Sequence, residues 1–279
     1  MQIKDISVCL ASPDGDRTAF EFARDFAAAR NAHLSCAAFT LLPEMVIGYG
    51  DGVGAEMYAG LIQETREAMG KAWDRFEEQS LRTEDTIELR RFETTQNRVE
   101  ALSAMNARHA DLVVVRAPDS EDAQPHADML EGVLLGGGRP VLVLPAGWKN
   151  PVIGTRTVMA WDAGREAARA LHDSLMVLPE GATVWVTTVD AKPDITGFGG
   201  GPGWDIGTHL SRHGCAVEVR NEDSMGRPAA EALLDVATAY NADLIVMGGY
   251  RHSRLQQALI PGVTRKLLHE VKVPLLLSH

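Results

Sequence analysis

The sequence predicts two tandem α/β domains, each a small doubly wound sheet of parallel strands covered by helices. Three observations carry this. The chain has 279 residues, and roughly 100–200 residues per domain favours two compact units. Two anchors recur: Ala110-Asp111-Leu112-Val113-Val114-Val115 matches Ala242-Asp243-Leu244-Ile245-Val246-Met247 at an offset of 132, and Arg139-Pro140-Val141-Leu142-Val143-Leu144 matches Val273-Pro274-Leu275-Leu276-Leu277 at an offset of 134. Between the anchors, short β-branched runs alternate with stretches of helical periodicity, the signature of crossover units around a parallel sheet.

In the first half the runs predict strands near 4–11, 33–40, 86–92, 111–116 and 140–144, with helices near 16–31, 57–80, 97–109 and 126–136. The second half repeats the order, with strands near 155–161, 183–189, 215–220, 243–248 and 273–277, and helices near 164–178, 204–213, 227–240 and 262–270. Helical spacing is clearest between Arg227 and Ala242, where Ala230, Leu233, Leu234, Ala237 and Tyr240 fall on one face. Pro145-Ala146-Gly147-Trp148-Lys149-Asn150-Pro151 follows a finished strand with two prolines and a glycine, which sets the domains at 1–148 and 149–279.

Composition narrows the function. Hydrophobic residues make up 45% and charged residues 23%, globular values that exclude a disordered, collagen-like or coiled-coil chain. No run approaches a membrane span, and Met1-Gln2-Ile3-Lys4-Asp5 leads into a strand rather than a signal-peptide core, so a cytoplasmic location is expected. Cys9, Cys36 and Cys215 lack the spacing of a zinc site or disulfide framework and read as core residues in a reducing compartment. The net charge of −11 divides into −9 over residues 1–150 and −2 over 151–279. Without a basic patch, nucleic acid and anionic membranes are poor partners, and the nearly neutral half is the better host for an anion.

Met247-Gly248-Gly249-Tyr250-Arg251-His252-Ser253-Arg254-Leu255, then Pro261-Gly262-Val263-Thr264-Arg265, together with Val158-Met159-Ala160-Trp161-Asp162 before a helix, resemble a tandem universal stress protein. The likeness covers nearly the whole chain and is strongest over 155–190 and 240–279. It implies five-stranded parallel sheets of order 3-2-1-4-5 arranged as an internal pseudo-dimer, and a stress-response role without catalysis. A homodimer stays open. Nucleotide-binding members carry a glycine loop after the fourth strand. Glycine lets backbone approach a phosphate, and N–H groups at a helix start cradle it.

Carried over, that resemblance makes Ala160, Asp162, Val189, Met247, Gly248, Arg251, Gly262, Val263 and Thr264 the residues of an ATP or AMP pocket in the second half. The second and third glycine positions fall on Arg251 and Pro261, and the hydroxyl position on Gly262. Proline supplies no N–H, and Arg251 either obstructs the backbone approach or supplies its own phosphate contact, so the expected affinity is weak. In the first half Arg116-Ala117-Pro118-Asp119-Ser120-Glu121-Asp122 has no glycine and several acids, and no ATP is expected there. A scaffold that binds no nucleotide and a slow ATPase are the rivals. The ATPase lacks a Walker lysine, a metal-ligating acid cluster and a base–nucleophile pair.

Other features have plainer readings. Asp162 suits a helix cap, and Trp161 suits the core. His209 and His213 lack a third metal ligand and read as a solvated pair. His252 and Ser253 have no acid beside them to orient a base. The glycine runs 48–54 and 197–203 read as surface connections. Finally, the apolar fifth strands, Pro140–Leu144 and Pro274–Leu277, would each leave an unprotected sheet edge, and are expected to pair antiparallel with one another.

Overall fold

The computed structural model describes residues 2–44, 52–80, 87–118, 124–193, 201–249, 263–270 and 272–279. The first half runs β1 (Asp5–Leu10), α1 (Arg17–Ala28), β2 (His33–Leu41), α2 (Gly52–Ser80), β3 (Ile87–Thr94), α3 (Val99–Ala107), β4 (Leu112–Arg116), α4 (Gln124–Glu131) and β5 (Val141–Leu144). The second runs β6 (Arg156–Ala160), α5 (Arg165–Ser174), β7 (Thr183–Val189), α6 (Trp204–Arg212), β8 (Ala216–Glu222), α7 (Ala229–Ala239), β9 (Leu244–Gly248), α8 (Val263–Glu270) and β10 (Leu275–Ser278).

Among the described residues ten strands form one sheet of order β3-β2-β1-β4-β5-β10-β9-β6-β7-β8. Each half has the expected 3-2-1-4-5 order, with parallel neighbours throughout. The halves meet at β5 and β10, which pair antiparallel with Leu275 opposite Val143, Leu276 opposite Leu142 and Leu277 opposite Val141. The strands start one residue after their prolines. Pro140 and Pro274 still serve the sheet as acceptors, taking the N–H of Val113 and of Ile245.

The recurring Ala-Asp anchor has a structural cause. Asp111 accepts the backbone N–H of Lys4 and Asp5, tying the entry of β4 to the entry of β1. Asp243 does the same for Gly154, Thr155 and Arg156 before β6. One carboxylate thus satisfies the leading amides of the neighbouring strand in each half.

Two apolar clusters cover the two faces of the sheet, and each runs through both halves. Leu142 and Leu276 join one, while Val141, Val143, Leu275 and Leu277 join the other, all of them fully buried. On the first face Phe20 and Trp73 each pack edge-on to Phe76, at 5.0 and 5.5 Å between centroids, fixing α1 against α2. On the other, α4 continues into a π-helical turn, Gly132–Gly137, that lies against α3. A Cβ on Gly132 would sit 2.2 Å from the Glu100 carbonyl oxygen, so glycine is what permits the approach. Cys9 and Cys36 are buried in the core as expected, and burial raises the Cys9 thiol to about 12. Among the described residues no helix is long and apolar enough to cross a membrane.

Candidate functional site

In an open parallel sheet, ligands favour the crevice at the carboxyl ends of the strands where strand order reverses. Here that place lies between β1 and β4 in the first half, and between β6 and β9 in the second. The repeat makes the two crevices comparable residue by residue.

In the second half, Ala160 closes β6, Val189 closes β7, and Met247 and Gly248 close β9. Met247 is buried in the core, while Ala160 and Val189 are half-buried against it. Val263 and Thr264 are half-buried in the first turn of α8. Asp162 is exposed, and its Oδ1 accepts the Gly164 N–H at 2.8 Å, shaping the entry to α5. Gly164 itself takes the N-cap position, with no side chain to cap the helix. Trp161 packs on the core, as expected of a strand-end aromatic. Arg251 and Gly262 lie outside the described residues, as do Pro261, His252 and Ser253.

Gly248 has a packing role of its own. A Cβ there would lie 2.6 Å from the Ala167 nitrogen and 2.6 Å from the Glu166 carbonyl carbon, so the end of β9 and the first turn of α5 are in backbone contact. That contact buries Glu166, whose carboxylate takes a 2.5 Å hydrogen bond from Arg165 Nε. Burial pushes the Glu166 carboxyl up, while the Arg165 hydrogen bond, its own backbone N–H and the neighbouring Arg165 and His279 pull it down; the net direction is below the ordinary carboxylate value. His279 completes the group, its Nδ1 lying 3.1 Å from the Gly249 carbonyl oxygen. Sequence reasoning missed Glu166, because Arg165-Glu166 reads as an ordinary charged first turn of a helix.

The first-half crevice is built otherwise. At the 132-residue offset Arg116 stands where the second half has Gly248. Its guanidinium donates to the Gly15 carbonyl oxygen at 3.2 Å and lies 3.6 Å from Asp16 Oδ1. Asp16 is fully buried and its Oδ1 is 2.8 Å from His126 Nε2, while its Oδ2 accepts the N–H of Ala11 at 2.7 Å and of Ser12 at 3.0 Å. None of this was legible in sequence, since Asp16 and His126 are 110 positions apart. The acids at 119–122 that led us to expect no nucleotide here lie outside the described residues.

The histidine pair is less solvated than its spacing suggests. His209 and His213 stack at 4.7 Å between centroids, and His172 joins them at 5.3 Å from His209. His213 and His172 are exposed, but His209 is half-buried with Nε2 unpartnered, and burial followed by the neighbouring His213, His172 and Arg212 lowers its pKa. Among the described residues no group of three or more His, Cys, Asp or Glu is arranged to hold a metal.

Two joined 3-2-1-4-5 sheets define a tandem doubly wound α/β protein. Residues 211–279 match the Universal stress protein family. A universal stress protein from Archaeoglobus fulgidus DSM 4304 superposes with a TM-score of 0.63 at 15% identity, over 98% of this chain and 95% of that one. A functionally unknown protein from Pseudomonas aeruginosa PAO1 gives 0.53 at 14% identity over 99% and 92%, and a protein from P. aeruginosa UCBPP-PA14 provisionally described as a universal stress protein gives 0.54 at 15% over 99% and 93%. No curated protein matches the sequence. The C-terminal segment is thus similar to the universal stress proteins, and the whole length of the chain shares the fold of the solved structures it superposes on.

Proposed function

We propose that the protein is a non-enzymatic stress-response protein, with domains at 1–148 and 149–279, whose second half binds ATP or AMP weakly between β6 and β9. The observation that carries this reading is the end of β9, where Gly248 lies in backbone contact with the first turn of α5. Helix starts attract anions through unpaired N–H groups and the helix dipole, and α5 begins at that crevice. Ala160, Asp162 and Val189 offer the nucleoside side of the pocket, and Val263 and Thr264, with Arg251 and Gly262, the phosphate side.

One observation favours the scaffold reading. The Glu166 carboxylate is buried at the same crevice and would repel a phosphate. Calorimetry with ATP separates the two. Weak binding by the wild type, strengthened by Arg251→Gly combined with Pro261→Gly, supports the pocket; a regained charge-assisted hydrogen bond is worth roughly 1.5–3 kcal/mol, about ten- to a hundredfold in affinity. Loss of binding on Arg251→Gly alone makes that arginine the phosphate ligand. No binding by any variant leaves the scaffold.

A further inference from the structure

Asp16 occupies the N-cap position of α1, yet its side chain caps nothing. Aspartate is favoured there because its carboxylate accepts N–H groups of the helix's first turn. This one turns the other way. It accepts the consecutive amides of Ala11 and Ser12 just beyond β1, meets His126 Nε2 from α4, and faces the guanidinium of Arg116 at the end of β4. Two adjacent backbone N–H groups, an imidazole N–H and a guanidinium are the donor set that binds a free oxyanion. They converge at the strand-order reversal, where this fold receives ligands.

The surroundings are those of a built site. Asp16 is 0% and His126 3% exposed. With Nε2–H donated to the carboxylate, the remaining His126 nitrogen, Nδ1, is buried without a partner, a polar atom whose desolvation is uncompensated. Helix capping alone gives no reason to gather these groups around one carboxylate.

We propose that Asp16 is a built-in ligand: its carboxylate occupies an oxyanion cradle formed by Ala11, Ser12, Arg116 and His126, and keeps the first-half crevice closed to small carboxylates and phosphates. Truncating the side chain then opens an anion site. The inference concerns the first half alone and is independent of nucleotide binding in the second.

Asp16→Ala in the full chain tests it, with sodium acetate as the probe and sodium chloride at equal ionic strength as the reference. Acetate should stabilise the variant against thermal unfolding and leave the wild type unmoved; at ten times its dissociation constant it raises the folded-to-unfolded ratio about elevenfold. The response should vanish in Asp16→Ala/Arg116→Ala. It should also be absent in Asp16→Asn, which refills the space. Equal responses in wild type and Asp16→Ala, no response in Asp16→Ala, or a response that survives Arg116→Ala would each overturn the proposal. Should Asp16→Ala emerge unfolded, refolding in acetate but not in chloride supports it, and failure in both overturns it.

Discussion

Single residues hold the tightest constraints in this molecule. Adding a methyl at Gly132 drives a Cβ into the Glu100 carbonyl oxygen, a backbone atom that cannot swing aside. Overpacking of this kind costs about 1–3 kcal/mol, so Gly132→Ala should lower the urea midpoint with an unchanged slope; an unaltered midpoint would show that α3 and the π turn separate freely. Glu166 gives a pH prediction with a definite sign. Its folded-state carboxyl is lowered from 4.5, so the stability it contributes is present above that value and is lost as pH falls through the folded pKa. Glu166→Gln lacks this component and should lose less stability than wild type on acidification from about pH 7 to pH 3. Denaturation curves that shift in parallel for both proteins would remove Glu166 from the acid response.

Elements were more legible than sites, for a physical reason. Periodicity reports which face of a segment is buried, and the runs Val141–Leu144 and Leu275–Leu277 of the fifth strands are apolar at every position, which signals two covered faces and a covered edge. Their antiparallel pairing follows. Leu276, fully buried opposite Leu142, makes a direct test: Leu276→Ala should cost about 2–5 kcal/mol by loss of buried contacts and cavity formation, read by calorimetric or urea unfolding. A cost typical of a surface site would show the join to be energetically idle. What periodicity cannot report is a partner across the fold. The α4 helix was legible near 126–136, but its π-helical end depends on α3 being close, and His126 meets Asp16 only because α4 follows the strand that neighbours β1. Asp162 was half legible, since its type and place indicate a helix entry, whereas its acceptance of the Gly164 N–H rather than a capping bond is a matter of loop geometry.

At the scale of the whole chain, the sheet formed by the described residues ends at β3 and β8 and has one internal seam. Fragments 1–148 and 149–279 would each expose a largely apolar fifth strand, and mixed together they should recombine as a 1:1 complex through β5 and β10. Light scattering after size exclusion checks this, and fragments that stay apart as monomers would refute it. The seam also sets how the two crevices relate. Strands within each half are parallel and the halves meet antiparallel, so the carboxyl ends of β1 and β4 lie on the opposite rim of the sheet from those of β6 and β9. In a twofold dimer of identical chains every substitution appears on both rims at once. Fused into one polypeptide, the rims are inherited separately: arginine and a buried aspartate can settle at one while glycine persists at the other, and neither change disturbs the seam on which both depend.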